Sequence, residues 1–262
     1  MRLSIITINK NNAAGLEKTA KSIAKFCNKP ICEWIVIDGN STDGSQSILE
    51  NYKEKIAVFI SESDNGIYDA MNKGVTHCTG DYVVFMNSGD SFFNLQQILV
   101  GITDWTEDIV YGDYGVTEAR SNLKIVKQTL SLDFAYLLGK TINHQSYFLK
   151  KDWLIKYPFL TEFTIVGDWV QLLQLFKNEK MTAKYLGVPV AIYDTQGLSS
   201  KFDLERKRQR NAFLSTLYSQ AELETLEIHS RLRQRTWYSF IVKSLNSPKR
   251  SKILTWISQI FG

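Results

Sequence analysis

The chain has 262 residues, 44% hydrophobic and 22% charged, with 15 glycines, 4 prolines and a formal net charge of +4. That composition belongs to a globular chain of one or two domains and excludes a mainly disordered or collagen-like one. No window approaches the roughly 18 to 20 apolar residues that span a bilayer, and the opening MRLSIITINKNN has too short an apolar part for a secretory signal, so a cytoplasmic protein is expected. Cys27, Cys32 and Cys78 form no CxxC pair and have no clustered histidines, and read as reduced thiols.

Taken in order, short apolar runs alternate with amphipathic ones: Leu3 to Ile8, Ala13 to Phe26, Trp34 to Ile37, Ser45 to Tyr52, Val58 to Ile60, Tyr68 to Thr76 and Tyr82 to Met86. This reads βαβαβαβ. LSIITI and YVVFM are apolar without alternation, the pattern of parallel strands buried on both faces by crossover helices. Turn and cap residues precede each helix: Asn-Asn, Asn-Ser-Thr-Asp-Gly and Asp-Asn-Gly. Beyond Asp90 the rhythm loosens. Helices are expected at Leu95 to Ile102 and Asp168 to Phe176, and strands at Ile109 to Tyr111, Leu123 to Gln128, Gln145 to Leu149, Thr182 to Tyr185 and Val190 to Tyr193.

Charge divides the chain in two. Residues 201–262 hold 12 Lys and Arg against 5 Asp and Glu, and residues 1–200 hold 19 against 22. The organisation expected is therefore a catalytic-type α/β domain over 1–200 and a basic helical extension over 201–262. Such asymmetry points one segment at a polyanionic partner.

In open α/β sheets ligands bind beyond the carboxyl ends of the strands. The residues there are Thr7-Ile8-Asn9, Asp38-Gly39-Asn40-Ser41, Glu62-Ser63-Asp64-Asn65 and Asn87-Ser88-Gly89-Asp90. So many carboxylates at one edge call for a cation or a donor-rich ligand. A hard divalent cation, Mn²⁺ or Mg²⁺, would bridge them to phosphates. The chain lacks both GxGxxG and GxxxxGK[ST], which excludes a plain dinucleotide-binding or P-loop protein by motif.

The segments LSIITINKN, EWIVIDGNSTDGS, SESDNGIYDAMNKGVTHCTGDYVVFMNSGD, INHQSYF and VGDWVQLLQL resemble the family 2 glycosyltransferases, inverting enzymes of the GT-A fold that use nucleotide-sugar donors. The long third segment is similar to the branch building exopolysaccharides of the colanic acid type. The resemblance runs from Leu3 to about Tyr193 and implies a GT-A sheet, Rossmann-like and mostly parallel, flanked by helices. It implies a UDP- or GDP-linked sugar as donor, held by Thr7, Asn9, Asp38, Asp64, Asn65, Gly66, Asn72, Asn87 and Ser88, with Asp38 accepting the ring N–H of the base. Asp168 matches the catalytic base. The usual Asp-x-Asp aligns on Asn87, Gly89 and the following Asp90, which leaves Asp90 as the metal ligand, assisted by His144 or Glu62. His144, Asp113 and Trp169 are acceptor-side or auxiliary candidates.

Each has a plainer reading. Asp38 can cap the next helix, Asp64-Asn65-Gly66 can be a turn, and Asp69 with Lys73 an i,i+4 pair. Asp168 can complement a helix dipole, and His144 can be structural.

In the tail, Trp237, Phe240, Ile241, Leu245, Ile253, Trp256, Ile257, Ile260 and Phe261 fall at helical spacing among lysines and arginines, with Pro248 dividing two helices. A basic amphipathic helix of this kind lies on an anionic membrane, each basic residue adding about 1 kcal/mol. Packing on the catalytic domain and a homodimer contact are the alternatives. Nucleic acid is disfavoured, since the aromatics occupy the apolar face.

Together these features imply an inverting transferase acting on a saccharide, lipid-linked in this reading, from the inner face of the membrane in surface polysaccharide synthesis. Two readings compete. A nucleotidyltransferase would need a basic, glycine-rich loop where NKNNAAG stands. A degenerate nucleotide-sugar binder or membrane assembly partner without turnover is kept open by Asn87 and Gly89.

Overall fold

The computed structural model describes residues 1–27, 30–117, 122–194 and 202–225. The chain divides into two compact units, Met1–Arg210 and Asn211–Gly262. The tail helices expected from Trp237 to Phe261 lie outside the described residues.

The described elements begin with β1 (Leu3–Asn9), α1 (Ala13–Ile23), β2 (Cys32–Asp38), α2 (Ser45–Asn51), β3 (Val58–Ser61), α3 (Ile67–Thr76) and β4 (Tyr82–Phe85). Then come β5 (Ser91–Phe92), α4 (Leu95–Gly101), β6 (Ile109–Thr117), β7 (Leu123–Val126), α5 (Phe134–Gly139), β8 (Tyr147–Lys150), α6 (Lys151–Lys156), α7 (Gly167–Asn178), β9 (Ala183–Tyr193) and α8 (Asp203–Leu217). One sheet runs β3-β2-β1-β4-β8-β6-β9-β5, with β7 on β6. Its first four strands are parallel, so β1, β2, β3 and β4 bring their carboxyl ends to one edge. Every residue of β1 and β2 is buried, as strands covered on both faces must be.

Pairing Ile5 with Trp34 and Thr7 with Val36 puts these on one face, where Leu16, Ala20 and Ile23 of α1 and Leu95, Ile98 and Leu99 of α4 close the core. Asn12 starts α1 by accepting the Gly15 N–H, replacing a hydrogen bond the first helical turn cannot make. All three cysteines are buried free thiols.

Beyond β4 the structure departs from the expected pattern. The two strands expected near 182 and 190 are one, β9, which stays paired with β6 through register shifts around Asp113. A 3-10 turn, His144–Ser146, replaces the start of the strand expected at Gln145. Short elements also appear that were not expected: β5, α5 and α6.

Candidate active site

At the carboxyl edge the β1–α1 and β2–α2 loops are stitched together. Asn11 and Asn40 both adopt positive φ, a conformation Asn tolerates better than most side chains. Asn11 accepts the Thr42 N–H at 2.9 Å and donates its own N–H to Ser41 Oγ at 2.8 Å. Asp43 accepts the N–H of Ala13 at 2.7 Å.

At the centre lies Asp38, fully buried. Oδ1 accepts Asn9 Nδ2 (2.8 Å) and Ser41 Oγ (2.6 Å), and Oδ2 accepts the Ser41 N–H (2.9 Å) and Ser61 Oγ (2.9 Å). Desolvation pushes its pKa up, but these donors outweigh it and hold the carboxyl below its ordinary range. Four donors fill the acceptor positions of a carboxylate. Asp38 as arranged fastens three strand ends.

Asp64 stands beside it, its side chain 6% exposed. Its Oδ1 accepts the Gly66 N–H (3.0 Å) and faces Lys10 Nζ at 3.5 Å. Its Oδ2 lies over Gly39, where a β-carbon would fall 2.3 Å away, so only glycine at 39 admits it. Asn65 donates its N–H to Asp69 Oδ2 at 2.9 Å, and Asp69 pairs with Lys73 as the i,i+4 spacing foresaw. Gly66, at φ +111, turns the chain into α3.

Three expected site residues face elsewhere. Thr7 is fully buried and accepts Trp34 Nε1–H at 2.9 Å, because β1 turns it to the core face. Asn72 spends both ends of its amide on the backbone of Phe159. Asp113 is inside, accepting the Gln128 N–H (2.9 Å) and Tyr185 Oη (2.6 Å).

Asp90 is enclosed as well. It is 4% exposed, and its oxygens accept Gln145 Nε2 (2.6 Å) and the Asp194 N–H (2.8 Å). Desolvation raises its pKa to about 6 against the opposing pull of those donors. Among the described residues no group of three His, Cys, Asp or Glu side chains stands ready for a metal ion. Asp90, with two acceptor positions taken, and the Asp194 carboxylate acting on it form a donor set thinner than the oxygen shell a hard divalent cation takes.

The remaining candidates converge across the sheet. Asp168 opens α7, where its charge complements the helix N-terminus. Gly167 precedes it because a β-carbon there would meet the Tyr68 ring at 2.7 Å. Tyr68 Oη lies 3.1 Å from Asp168 Oδ1, and His144 Nδ1 lies 3.6 Å from Oδ2. His144 Nε2 in turn lies 3.2 Å from Asn87 Nδ2, and Asn87 Oδ1 is buried with no hydrogen-bond partner. Ser88 receives Asn12 Nδ2 on its carbonyl at 3.1 Å. Burial raises the Asp168 pKa, and the His144 and Tyr68 contacts bring it below the usual carboxylate value. Its side chain keeps 16% exposure, so an incoming hydroxyl can reach it. Trp169 donates Nε1–H inward to the Leu137 carbonyl at 2.6 Å, and its ring lies under the Arg210 guanidinium, 4.2 Å from the centroid.

Tyr68, Gln145 as the Asp90 partner, Asp194, Gln209 and Arg210 were not singled out from sequence. Tyr68 lies 100 residues from Asp168, and Arg210 reads as one more charge of the tail.

Comparison with known proteins assigns the family. The family model described as glycosyl transferase family 2 matches residues 4–154, more than half of the chain. A PGL/p-HBAD biosynthesis glycosyltransferase of Mycobacterium bovis is 29% identical over 223 residues, covering 81% of this chain and 84% of that one. The putative teichuronic acid biosynthesis glycosyltransferase TuaG of Bacillus subtilis is 34% identical over 93 residues, 34% of this chain and 36% of that one. Among solved structures, S. aureus TarS 1-349 has a TM-score of 0.62 at 19% identity, covering 74% of this chain and 61% of that one, so the chain spans less than two thirds of its length. The mannosyltransferase PcManGT from Pyrobaculum calidifontis, in complex with GDP-Man and Mn²⁺, has a TM-score of 0.60 at 16% identity, covering 99% and 80%. These likenesses match the mostly parallel, helix-flanked sheet described above, and with the family model they establish that the chain is a member of glycosyl transferase family 2.

Proposed function

We propose that the chain moves a hexosyl or deoxyhexosyl group from a UDP- or GDP-linked sugar to a hydroxyl of a saccharide acceptor, with inversion. One observation carries this reading: Asp168 is ionised, partly exposed, and braced by Tyr68 and His144 at the start of α7. Asp168 takes the proton of the attacking hydroxyl as its oxygen bonds to the anomeric carbon, and the bond to the diphosphate breaks from the opposite side. Asp64 over Gly39, and not Asp38, accepts the ring N–H of the base in this reading, since its Oδ2 meets no hydrogen-bond donor among the described residues while Asp38 accepts four. The Asn65-Gly66 turn and Asn87-Ser88 flank the sugar and the diphosphate.

A divalent cation is the partner that PcManGT brings to mind through its bound Mn²⁺. No step here is routed through a metal. The relatives' names, one in PGL/p-HBAD and one in teichuronic acid biosynthesis, support a cell-surface glycan as acceptor. We place that acceptor on a lipid and the basic tail on the membrane surface. Among the described residues no helix is long and apolar enough to cross a membrane. Flotation of the full chain with phosphatidylglycerol vesicles, and its absence with phosphatidylcholine vesicles, tests the attachment.

The donor is tested by thermal shift with UDP, GDP, CMP and dTDP, each with EDTA or Mn²⁺. At 100 times its dissociation constant one diphosphate stabilises the fold by about 2.7 kcal/mol, or roughly 5 to 10 °C. The expected shift survives EDTA within about twofold in affinity. A shift that needs Mn²⁺ returns Asp90 to the role of ligand, and no shift with any nucleotide overturns the transferase reading.

A further inference from the structure

We propose that Gln209 and Arg210, on the first half of α8, are positioning residues for Asp168, so that the start of the basic extension belongs to the active site. The inference rests on Asp168 acting as the base, and it concerns what holds that base in place.

Helix α7 has no side-chain cap of its own: Val166, at its N-cap, supplies none. The strand of chain entering it is held instead from two distant elements. Gln209 is 7% exposed, and its Oε1 accepts the Ile165 N–H at 3.0 Å while its Nε2 donates to Thr164 Oγ1 at 3.0 Å. Glu205, one turn earlier on α8, accepts a second hydrogen bond from the same Nε2 at 2.9 Å and fixes the amide's orientation. On the other side of the peptide, Tyr68 Oη lies 3.1 Å from the Ile165 carbonyl. Both backbone groups of Ile165, three residues before Asp168, are thus met by side chains from 44 and 97 positions away in sequence.

Arg210 secures the residue after the base. Its guanidinium lies 4.2 Å from the Trp169 ring centroid and donates to the Leu138 carbonyl at 3.2 Å. Trp169 Nε1 donates to Leu137 O, the neighbouring carbonyl. Guanidinium and indole therefore tie α7 to the end of α5 through two consecutive peptide units. Consecutive residues on a helix point about 100° apart, so Gln209 and Arg210 grip the chain on both sides of Asp168 without either touching its reacting edge. A group held this way decides whether a general base meets its substrate in line, and a misplacement of about 1 Å costs on the order of 10²-fold in rate.

The test uses the full chain and the UDP- or GDP-linked hexose that the wild type turns over, read as released nucleotide. Gln209→Met keeps the volume and helical preference and removes the hydrogen bonds. Arg210→Ala removes the stack, and Arg210→Lys keeps the charge without the planar fork. Lys207→Ala, on the exposed side of α8, is the control. The expected result is a fall in kcat of at least tenfold for Gln209→Met and Arg210→Ala, with donor KM and nucleotide Kd within twofold of wild type. Arg210→Lys falls between, and Lys207→Ala is unchanged. Wild-type kcat in Gln209→Met and Arg210→Ala overturns the proposal, as does a parallel loss of nucleotide affinity and turnover, which marks a general structural role. Should the wild type and Lys207→Ala turn over no donor at all, it is the transferase reading that fails, and the positioning role with it.

Discussion

Asp38 and Asp168 are both carboxylates at the carboxyl edge of the sheet, both held below their ordinary pKa, and they are built for opposite ends. Asp38 is fully buried with four hydrogen bonds on two oxygens, from Asn9, Ser41 twice and Ser61. Asp168 keeps 16% of its side chain exposed, with Tyr68 on one oxygen and His144 near the other. A carboxylate whose acceptor positions are filled by the protein stabilises the fold; one left partly open can take a proton. The difference teaches that a lowered pKa marks neither role by itself, and that the count and source of donors separates them.

The comparison breaks first at Asp38. Asp38→Asn puts an amide N–H where Ser61 or Ser41 donates, and leaves buried donors facing one another. The expected cost is about 2 to 4 kcal/mol, or roughly 5 to 15 °C in Tm, while nucleotide affinity per folded molecule stays near wild type. A Tm near wild type with affinity lost at least tenfold would return Asp38 to the base pocket.

Asp90 sharpens it through pH. Its folded pKa of about 6 lies above the unfolded value near 3.8, so the native state binds the proton more tightly, and stability from this group falls as pH rises from about 4 to about 6. The shift corresponds to about 3 kcal/mol at pH 7. Asp90→Asn removes that titration. Gln145 Oε1 is buried with no hydrogen-bond partner, so a turn of its amide meets the new Asn N–H. The variant should be more stable than wild type at pH 7 by about 1 to 3 kcal/mol and equal to it near pH 4.5, measured by urea unfolding at both. A destabilised variant at pH 7 contradicts the account of Asp90.

The smallest effect is at Thr7. Thr7→Val keeps the shape and strands the Trp34 Nε1–H in the core, at about 1 to 2 kcal/mol in urea unfolding. Nucleotide affinity should not change; a tenfold loss would put Thr7 back in the base pocket.

Much of this was legible in the sequence, for reasons that can be traced to particular residues. LSIITI and YVVFM carry the apolar pattern, without alternation, of doubly covered strands, and β1 and β4 form there. GDWVQLLQL announced α7 with Asp168 at its head. The second half was harder because its pairings are long-range. Ser91 and Phe92 form β5 only by meeting Ile192 and Ala191 a hundred residues later, which no local pattern records. The hydrogen bonds of Asp38 were hidden for the same reason: Asn9, Ser41 and Ser61 reach it from three strand ends. Asn72 was expected at the donor, and nothing local pointed to Phe159. Arg210 looked like one basic residue among many, and its cation–π partner sits 41 positions earlier.

The most direct test of the account is Asp168→Asn, a change of one oxygen that preserves shape and the contact with Tyr68. Nucleotide affinity by calorimetry and donor turnover are measured on the same preparation. The account predicts a dissociation constant within twofold of wild type and turnover reduced by about 10²- to 10⁴-fold, the usual contribution of a general base. Turnover within tenfold of wild type would contradict it and remove Asp168 from the chemistry.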